Sequence, residues 1–236
     1  MEMRVTITGQ TELIAMLNNV AKRQLPFACA KALTLTANKC KEKLIEHMGV
    51  VFDRPTPFVK RGLYVRPATK QTLEAEVGIS YRAIDILGHH VEGGVRPEKR
   101  SEHWLGSYYL PGQAMPLNQY GNISQGKITQ ILSGVFKNPD PMSWTTARSR
   151  QRKRKRARPF YFLIPNIRGI ESATHLYPGI YQRYGVRKIK PVLIFMKKEP
   201  TYSKRYDFYG IGRRTALSSY GALFDKAMAD AMRTAR

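Results

Sequence analysis

Residues 51–79 read VFDRPTPFVKRGLYVRPATKQTLEAEVGI and join a proline turn to a strand hairpin. Each proline in Asp53-Arg54-Pro55-Thr56-Pro57 fixes φ, lacks an N–H and pushes the preceding residue toward extended geometry, so the helical pattern upstream stops there. Beyond the turn, Leu63-Tyr64-Val65 and residues 73–79 read as two strands connected by Pro67-Ala68-Thr69-Lys70. Leu73, Ala75, Val77 and Ile79 alternate onto one face of the second strand, which leaves Glu74 and Glu76 on the solvent face of a half-buried ribbon.

Upstream of this stretch, residues 3–8 alternate as a strand and Gly9 ends it. Residues 11–24 suit a short helix with Leu13, Leu17 and Val20 on one side and Thr11 as its cap. Pro26 then sits where a proline starts a helix. From there Ala30, Leu33, Ala37, Cys40, Leu44 and Met48 recur every three or four residues, which predicts an amphipathic helix reaching about His47, before Gly49. Cys29 and Cys40 fall on that helix, eleven residues or ~16 Å apart by helical rise, too far to bridge, and read as reduced core thiols.

Downstream, Gly88, Gly93, Gly94, Pro97, Gly106, Pro111, Gly112 and Pro116 interrupt every period, so long loops are expected over residues 81–119. Trp104, Tyr108 and Tyr109 on those loops suit interface anchors or a local core. A short helix is predicted over residues 124–133, with Ile128, Ile131 and Leu132 buried. Strands are predicted over residues 160–164, 176–181 and 191–196. Leu217, Tyr220, Phe224, Ala227, Met228 and Ala231 mark a second long amphipathic helix over residues 215–234. The expected architecture is a single α+β domain over residues 1–236, with a mixed or antiparallel sheet packed against two long helices.

Residues 137–159 break this pattern. Asn138-Pro139-Asp140-Pro141 leads into a Ser, Thr, Arg and Lys tract whose low apolar content cannot offset its ordering entropy, so a flexible basic insertion between strands of one sheet is expected. Arg148, Arg150, Arg152, Lys153, Arg154, Lys155, Arg156 and Arg158 lie within it, and no acid occurs from Pro141 to Ile170. Forty Lys and Arg stand against 17 Asp and Glu, a net charge of +23, so removing these eight would still leave +15. A basic excess both spread and concentrated favours a polyanionic surrounding over one small anion, and this tract is the candidate contact with DNA or an acidic protein.

Catalytic chemistry finds little support. His89, His90, Glu92 and His103 have metal-ligand side chains without metal-ligand spacing. Gly93-Gly94 and Gly210-Ile211-Gly212 lack the continuation of a phosphate loop. Asp225 and Asp230 do not share a helix face, and nothing nominates a nucleophile. No enzyme activity, cofactor or metal is expected. No stretch approaches the ~18 consecutive apolar residues of a membrane span, and the N-terminal residues lack a signal-peptide core, so no membrane association is expected.

Three ordered blocks carry a resemblance. The first is D-R-P-T-P-F, L-Y-V, A-T-K and L-E-A-E-V within residues 53–77. Then come Val91-Glu92-Gly93-Gly94 with Arg96-Pro97 and Lys99-Arg100, and finally Leu117, Tyr120-Gly121-Asn122-Ile123-Ser124 and Gln130-Ile131-Leu132-Ser133. Over roughly residues 11–135 the chain resembles the minor tail protein Z, or tail completion, family of lambda-like tailed phages and prophages. The resemblance implies a virion component made in the host cytoplasm that acts at the head-proximal end of the tail. Its implied partners are tail tube and head–tail connector proteins, its own copies in a homohexameric ring, and double-stranded DNA passing through the channel. Segment His89, His90, Val91, Glu92, Gly93, Gly94, Arg96 and Arg100 is the candidate subunit contact. The rival reading is a nucleic-acid-binding accessory protein without sequence specificity, since no helix-turn-helix, zinc-finger or RRM pattern is present.

Overall fold

The computed structural model describes residues 1–6, 19–136, 160–164, 176–184 and 188–233. In chain order the elements are β1 (Glu2–Thr6), α1 (Asn19–Val51), α2 (Pro57–Arg61), β2 (Leu63–Arg66), β3 (Glu74–Ile79), α3 (Tyr81–Glu92), β4 (Gly94–Val95), α4 (Arg100–Leu105), β5 (Tyr109–Pro111), α5 (Gln125–Phe136), β6 (Phe160–Ile164), β7 (Gly179–Tyr184), β8 (Lys188–Phe195), β9 (Thr201–Tyr202) and α6 (Phe208–Arg233). The chain is α+β, with antiparallel sheets packed against helices, two of them long. Where the sequence reads as one domain, the residues cluster into two compact units, Met1–Val95 with Thr201–Arg236, and Arg96–Pro200.

In the first unit, β1, β3 and β2 form an antiparallel sheet in that order. Val77 and Ile79 of β3 and Leu63 of β2 share its inner face with Ala75, as the alternation predicts. Leu33, Ala37, Cys40, Leu44 and Met48 of α1 cover that face and join Ala83, Leu87 and Val91 of α3 in one core with Tyr206 and Phe208. The predicted stripe of α1 is thus the core stripe. Its start differs from expectation: α1 begins N-terminal to Pro26 and carries it inside, leaving the carbonyl four residues earlier without its usual intrahelical donor. The predicted cap at Thr11 and the first part of that short helix lie outside the described residues.

The proline turn is built as expected and adds one feature. Thr56 caps α2, its hydroxyl accepting from the Val59 N–H at 3.3 Å, and Pro57 occupies the first turn. Gly62 closes α2 where a Cβ would come within 2.4 Å of the Ala83 methyl, so only glycine lets this corner reach α3.

The expectation for Glu76 is overturned. It lies on the outer face but is 4% exposed, because Tyr64 lies across Gly78 and donates to the Glu76 carboxylate at 2.7 Å while Arg66 donates at 2.9 Å. A Cβ on Gly78 would meet the Tyr64 ring at 2.5 Å, so the missing side chain makes room for the cover.

The expectation of long loops over residues 81–119 is also corrected, since α3 and α4 occupy much of that stretch. Gly88 is tolerated inside α3, and Gly93 at φ 77° and Gly106 at φ 62° end helices rather than abolish them. The last helix likewise starts earlier than predicted, at Phe208. Its buried face runs through Phe208, Gly212, Ser219, Ala227 and Ala231, which turns Leu217 outward at 75% exposure.

The second unit holds the sheet β5-β8-β7-β6, antiparallel throughout. Ile131 of α5 is fully buried, and Ile128, Leu132 and Val135 pack with it against the Tyr161, Ile180 and Leu193 face. A register shift at Ile180/Tyr181 sits opposite the segment containing Pro191, a strand proline that cannot donate to a ladder. Residues 137–159, expected from sequence to be a basic insertion, lie outside the described residues. Residues 160–164 do form a strand, but its burial is uneven, with Phe160 44% exposed and Tyr161 and Ile164 at 5% and 8%.

Leu33→Ala should lower stability by ~2–5 kcal/mol, because it empties a fully buried site between α1 and the sheet. Chemical denaturation of wild type and variant reads this, and a loss below ~1 kcal/mol would show that the site collapses or that the helix face is misassigned.

Candidate assembly interface

The candidate subunit contact begins on the last turn of α3, a helix and not a strand, so His89 and His90 are neighbours around an axis rather than on opposite faces. Ala83, Leu87 and Val91 at four-residue spacing bury the other side. The His90 ring meets Phe52 and Tyr202 edge-on, at 4.8 and 5.1 Å between centroids, and its carbonyl accepts from the Arg205 and Tyr206 N–H groups at 2.8 and 2.9 Å. Burial holds the His90 imidazole below the usual histidine range, with the charges of Arg205 and His89 adding to the effect.

Gly93 donates to the His89 carbonyl at 3.0 Å, and at φ 77° it adopts a conformation that side chains disfavour. A Cβ there would also come within 3.2 Å of the Tyr202 carbonyl. Gly94, at φ 102°, opens β4, and β4 pairs antiparallel with β9 through Gly94↔Tyr202 and Val95↔Thr201. Both chain crossings between the units, Val95 to Arg96 and Pro200 to Thr201, leave from this two-stranded ribbon.

Arg96 belongs to the second unit. Its guanidinium is 13% exposed and clasps Glu102, whose carboxylate is 1% exposed, through two hydrogen bonds, one of 2.6 Å. The same carboxylate accepts from the Lys99 N–H at 2.8 Å, at the start of α4. Arg96 also lies over the Tyr108 ring, 5.2 Å from its centroid, and Tyr108 donates to the Arg96 carbonyl at 3.3 Å. Arg96 is therefore committed within its own chain, as is buried Val91. In the first unit Glu92, Gly94 and Val95 are exposed while His89, His90 and Gly93 are half-buried, and in the second Arg100 is exposed.

Glu102 is the residue that sequence reasoning missed. Its signal was a glutamate three positions after Lys99, the spacing at which a carboxylate returns to the N–H of a helix cap. Tyr108 and Tyr109 are buried rather than interface anchors, whereas Trp104 is 64% exposed.

The eight candidate polyanion contacts from Arg148 to Arg158 lie outside the described residues. Among the described residues no three His, Cys, Asp or Glu side chains gather as metal ligands, and no helix is long and apolar enough to cross a membrane. An open groove between α1 and α6 is lined by Lys43, Glu46, His47, Val50, Ile211, Arg214 and Thr215, with Lys43 paired to Glu46 and Arg214 to Asp207.

Burial alone would raise the Glu102 carboxyl, but the hydrogen bonds from Arg96 and Lys99 and their charges outweigh it and hold the group below the usual glutamate range. A carboxylate with a depressed folded value contributes stability above the ordinary glutamate range, and this is lost as pH falls through the folded value. Glu102→Gln should therefore cost ~3 kcal/mol in denaturant melts at neutral pH, by taking the carboxylate from a buried arginine, and should flatten the acid limb of the stability curve. An unchanged acid limb would mean that Glu102 is not ionised in the folded chain.

Compared with known proteins, the chain matches no family model, no curated protein and no solved structure.

Proposed function

We propose that this protein is a structural component of a long phage tail, acting in tail completion or head–tail joining at the head-proximal end, as a ring of its own copies. The observation that carries the reading is the ordered run of three sequence blocks within residues 53–133 that resemble the minor tail protein Z family. Each block coincides with a local device. The first is the capped proline turn and the hairpin onto α1. The second is the end of α3 with the β4–β9 ribbon and the start of α4. The third is a loop in which the Asn118 side chain accepts from the Tyr120 and Asn122 N–H groups at 2.9 Å, with Gly121 at φ 75°.

Function in this reading is positional rather than catalytic. Exposed Glu92, Gly94, Val95 and Arg100 supply the contact between neighbouring copies, and tail tube and connector proteins flank the ring. The net charge of +23 suits a component beside a polyanion such as duplex DNA in a channel. The protein would reside in the virion tail after assembly in the host cytoplasm.

Deleting the gene from a phage or prophage that carries it should yield filled heads and tails that remain unjoined or non-infectious in electron micrographs, restored by expression in trans. Normal infectious particles would overturn the reading. Glu92→Lys with Arg100→Glu should abolish the ring in light scattering while the monomer keeps its melting temperature.

One observation favours a second reading, a nucleic-acid-binding accessory protein without base specificity: eight Lys or Arg lie between Arg148 and Arg158. Changing Arg152, Lys153, Arg154, Lys155 and Arg156 to Gln should weaken duplex binding and flatten its salt dependence by about 0.9 log unit for each phosphate no longer neutralised. Wild-type binding with failed particle completion would instead direct the tract to an acidic protein neighbour.

A further inference from the structure

In the first unit the last turn of α3 is tied through one residue to the chain that enters α6. The His90 carbonyl accepts from the Arg205 and Tyr206 N–H groups at 2.8 and 2.9 Å, and the His90 ring meets Tyr202 of β9 edge-on at 5.1 Å between centroids. Phe52, just past the end of α1, meets the same ring at 4.8 Å. Tyr206 extends the cluster: its ring lies 5.9 Å from Phe52 and 5.8 Å from His47, and its hydroxyl donates to the Leu44 carbonyl at 3.0 Å. His90 thus clasps residues 202–206 with ring and backbone at once. Tyr202 in turn belongs to the β4–β9 ribbon from which both connections to the second unit leave.

The clasp suits one protonation state. His90 Nδ1 is buried and has no hydrogen-bond partner among the described residues. In the neutral imidazole it can be a bare lone pair, with the proton on the other nitrogen, whereas in the imidazolium it carries a buried N–H that nothing accepts. The surrounding charges do not compensate. Arg205, from the segment before α6, and His89, on the same helix, both repel a proton on this ring. Lys204, whose stem passes Gly93, is a further cation of that segment. The carboxylates of the neighbouring segments have other partners: Asp53 pairs with Arg54, Asp207 with Arg214 and the Gly210 N–H, and the Glu92 charge acts on Tyr209. A helix C-terminus and an aromatic face each favour a cation, but burial, Arg205 and His89 outweigh them and hold the imidazole below the usual histidine range.

We propose that His90 is an acid-sensitive latch: neutral, it holds the connection from β9 to α6 against the end of α3, and protonated, it lets that connection and the β4–β9 pairing open. Once released, the imidazole meets water and takes up its proton in the ordinary histidine range, whereas in the clasp it does so only at lower pH. Between those two values the open form binds more protons than the closed one. Closure is therefore complete above the ordinary histidine range and weakens as pH falls through that range toward the lower value of the clasped ring. The latch lies wholly within the first unit and does not depend on the tail reading.

The test uses the full chain and amide hydrogen exchange read by NMR, corrected for the intrinsic pH dependence of exchange. The Arg205 and Tyr206 amides should lose protection several-fold between about pH 7.5 and about pH 5, while amides in the middle of α1 keep theirs. His90→Phe keeps a ring in the clasp and cannot be protonated, so the same two amides should be equally protected at both pH values. A titration of the wild-type imidazole carbon signals reads the latch without any substitution, and His90 should take up its proton below the ordinary histidine range. Three results would each overturn the proposal: His90 titrating within or above that range, equal protection of Arg205 and Tyr206 at both pH values in the wild type, or an undiminished acid loss in folded His90→Phe. Should His90→Phe fail to fold, the wild-type titration and exchange decide between the outcomes. The tail reading is judged by particle morphology, so either idea can fail alone.

Discussion

The packing of α6 against α1 is the contact on which the rest of the first unit depends. Ala28 and Ala32 of α1 meet Ala227 and Ala231 of α6, and side chains this small let the two backbones approach closely. Farther along, the Cys40 thiol, whose pKa burial pushes up to about 11, sits 3.5 Å from the Gly212 carbonyl, so the two helices run antiparallel. Lys31 and Asp230 pair at 3.0 Å beside the alanine contact. Because α1 and α6 lie far apart in sequence, the segment between them must leave and re-enter the first unit. The β4–β9 pairing joins its two ends, which is why the turn at Gly93 tolerates so little side chain. The hairpin and α3 then complete a core that neither helix could close alone.

Charge is organised in two opposite ways. Glu76 and Glu102, two of only 17 acids, are withdrawn from solvent and spent on arginines within the chain. Each buried carboxylate is fully engaged, by Tyr64 and Arg66 in one case and by Arg96 and the Lys99 N–H in the other, as its desolvation requires. Each such pair is neutral, so the net charge of +23 is carried by the remaining lysines and arginines. The channel-lining role we propose would draw on that same excess.

Much of the fold was legible from the residues alone. The α1 stripe through Leu33, Cys40 and Leu44 and the hairpin of β2 and β3 follow from periods of 3.6 and 2 that burial imposes on any chain, and β6 and β8 from short continuous apolar runs. Glycines misled the reading of residues 81–119 and of the start of α6. A glycine in sequence does not reveal whether it breaks a helix, ends one at positive φ or clears space for a neighbour, and Gly88, Gly106 and Gly212 each do something different.

The candidate interface was less legible than the fold. Sequence words located residues 89–100, but only three-dimensional contacts separated Arg96, clasped by Glu102 beneath the Tyr108 ring, from Arg100, which remains exposed. The sequence by itself determined the α+β class, the core stripe, the proline turn and the basic excess, because local periodicity, φ restriction and composition act along the chain. Tertiary structure alone decided the division into two units, the burial of Glu76 and the exposure of Phe160. These depend on which distant residues come to lie alongside, Tyr64 over Gly78 and Arg183 opposite Phe160, and no local pattern carries that information.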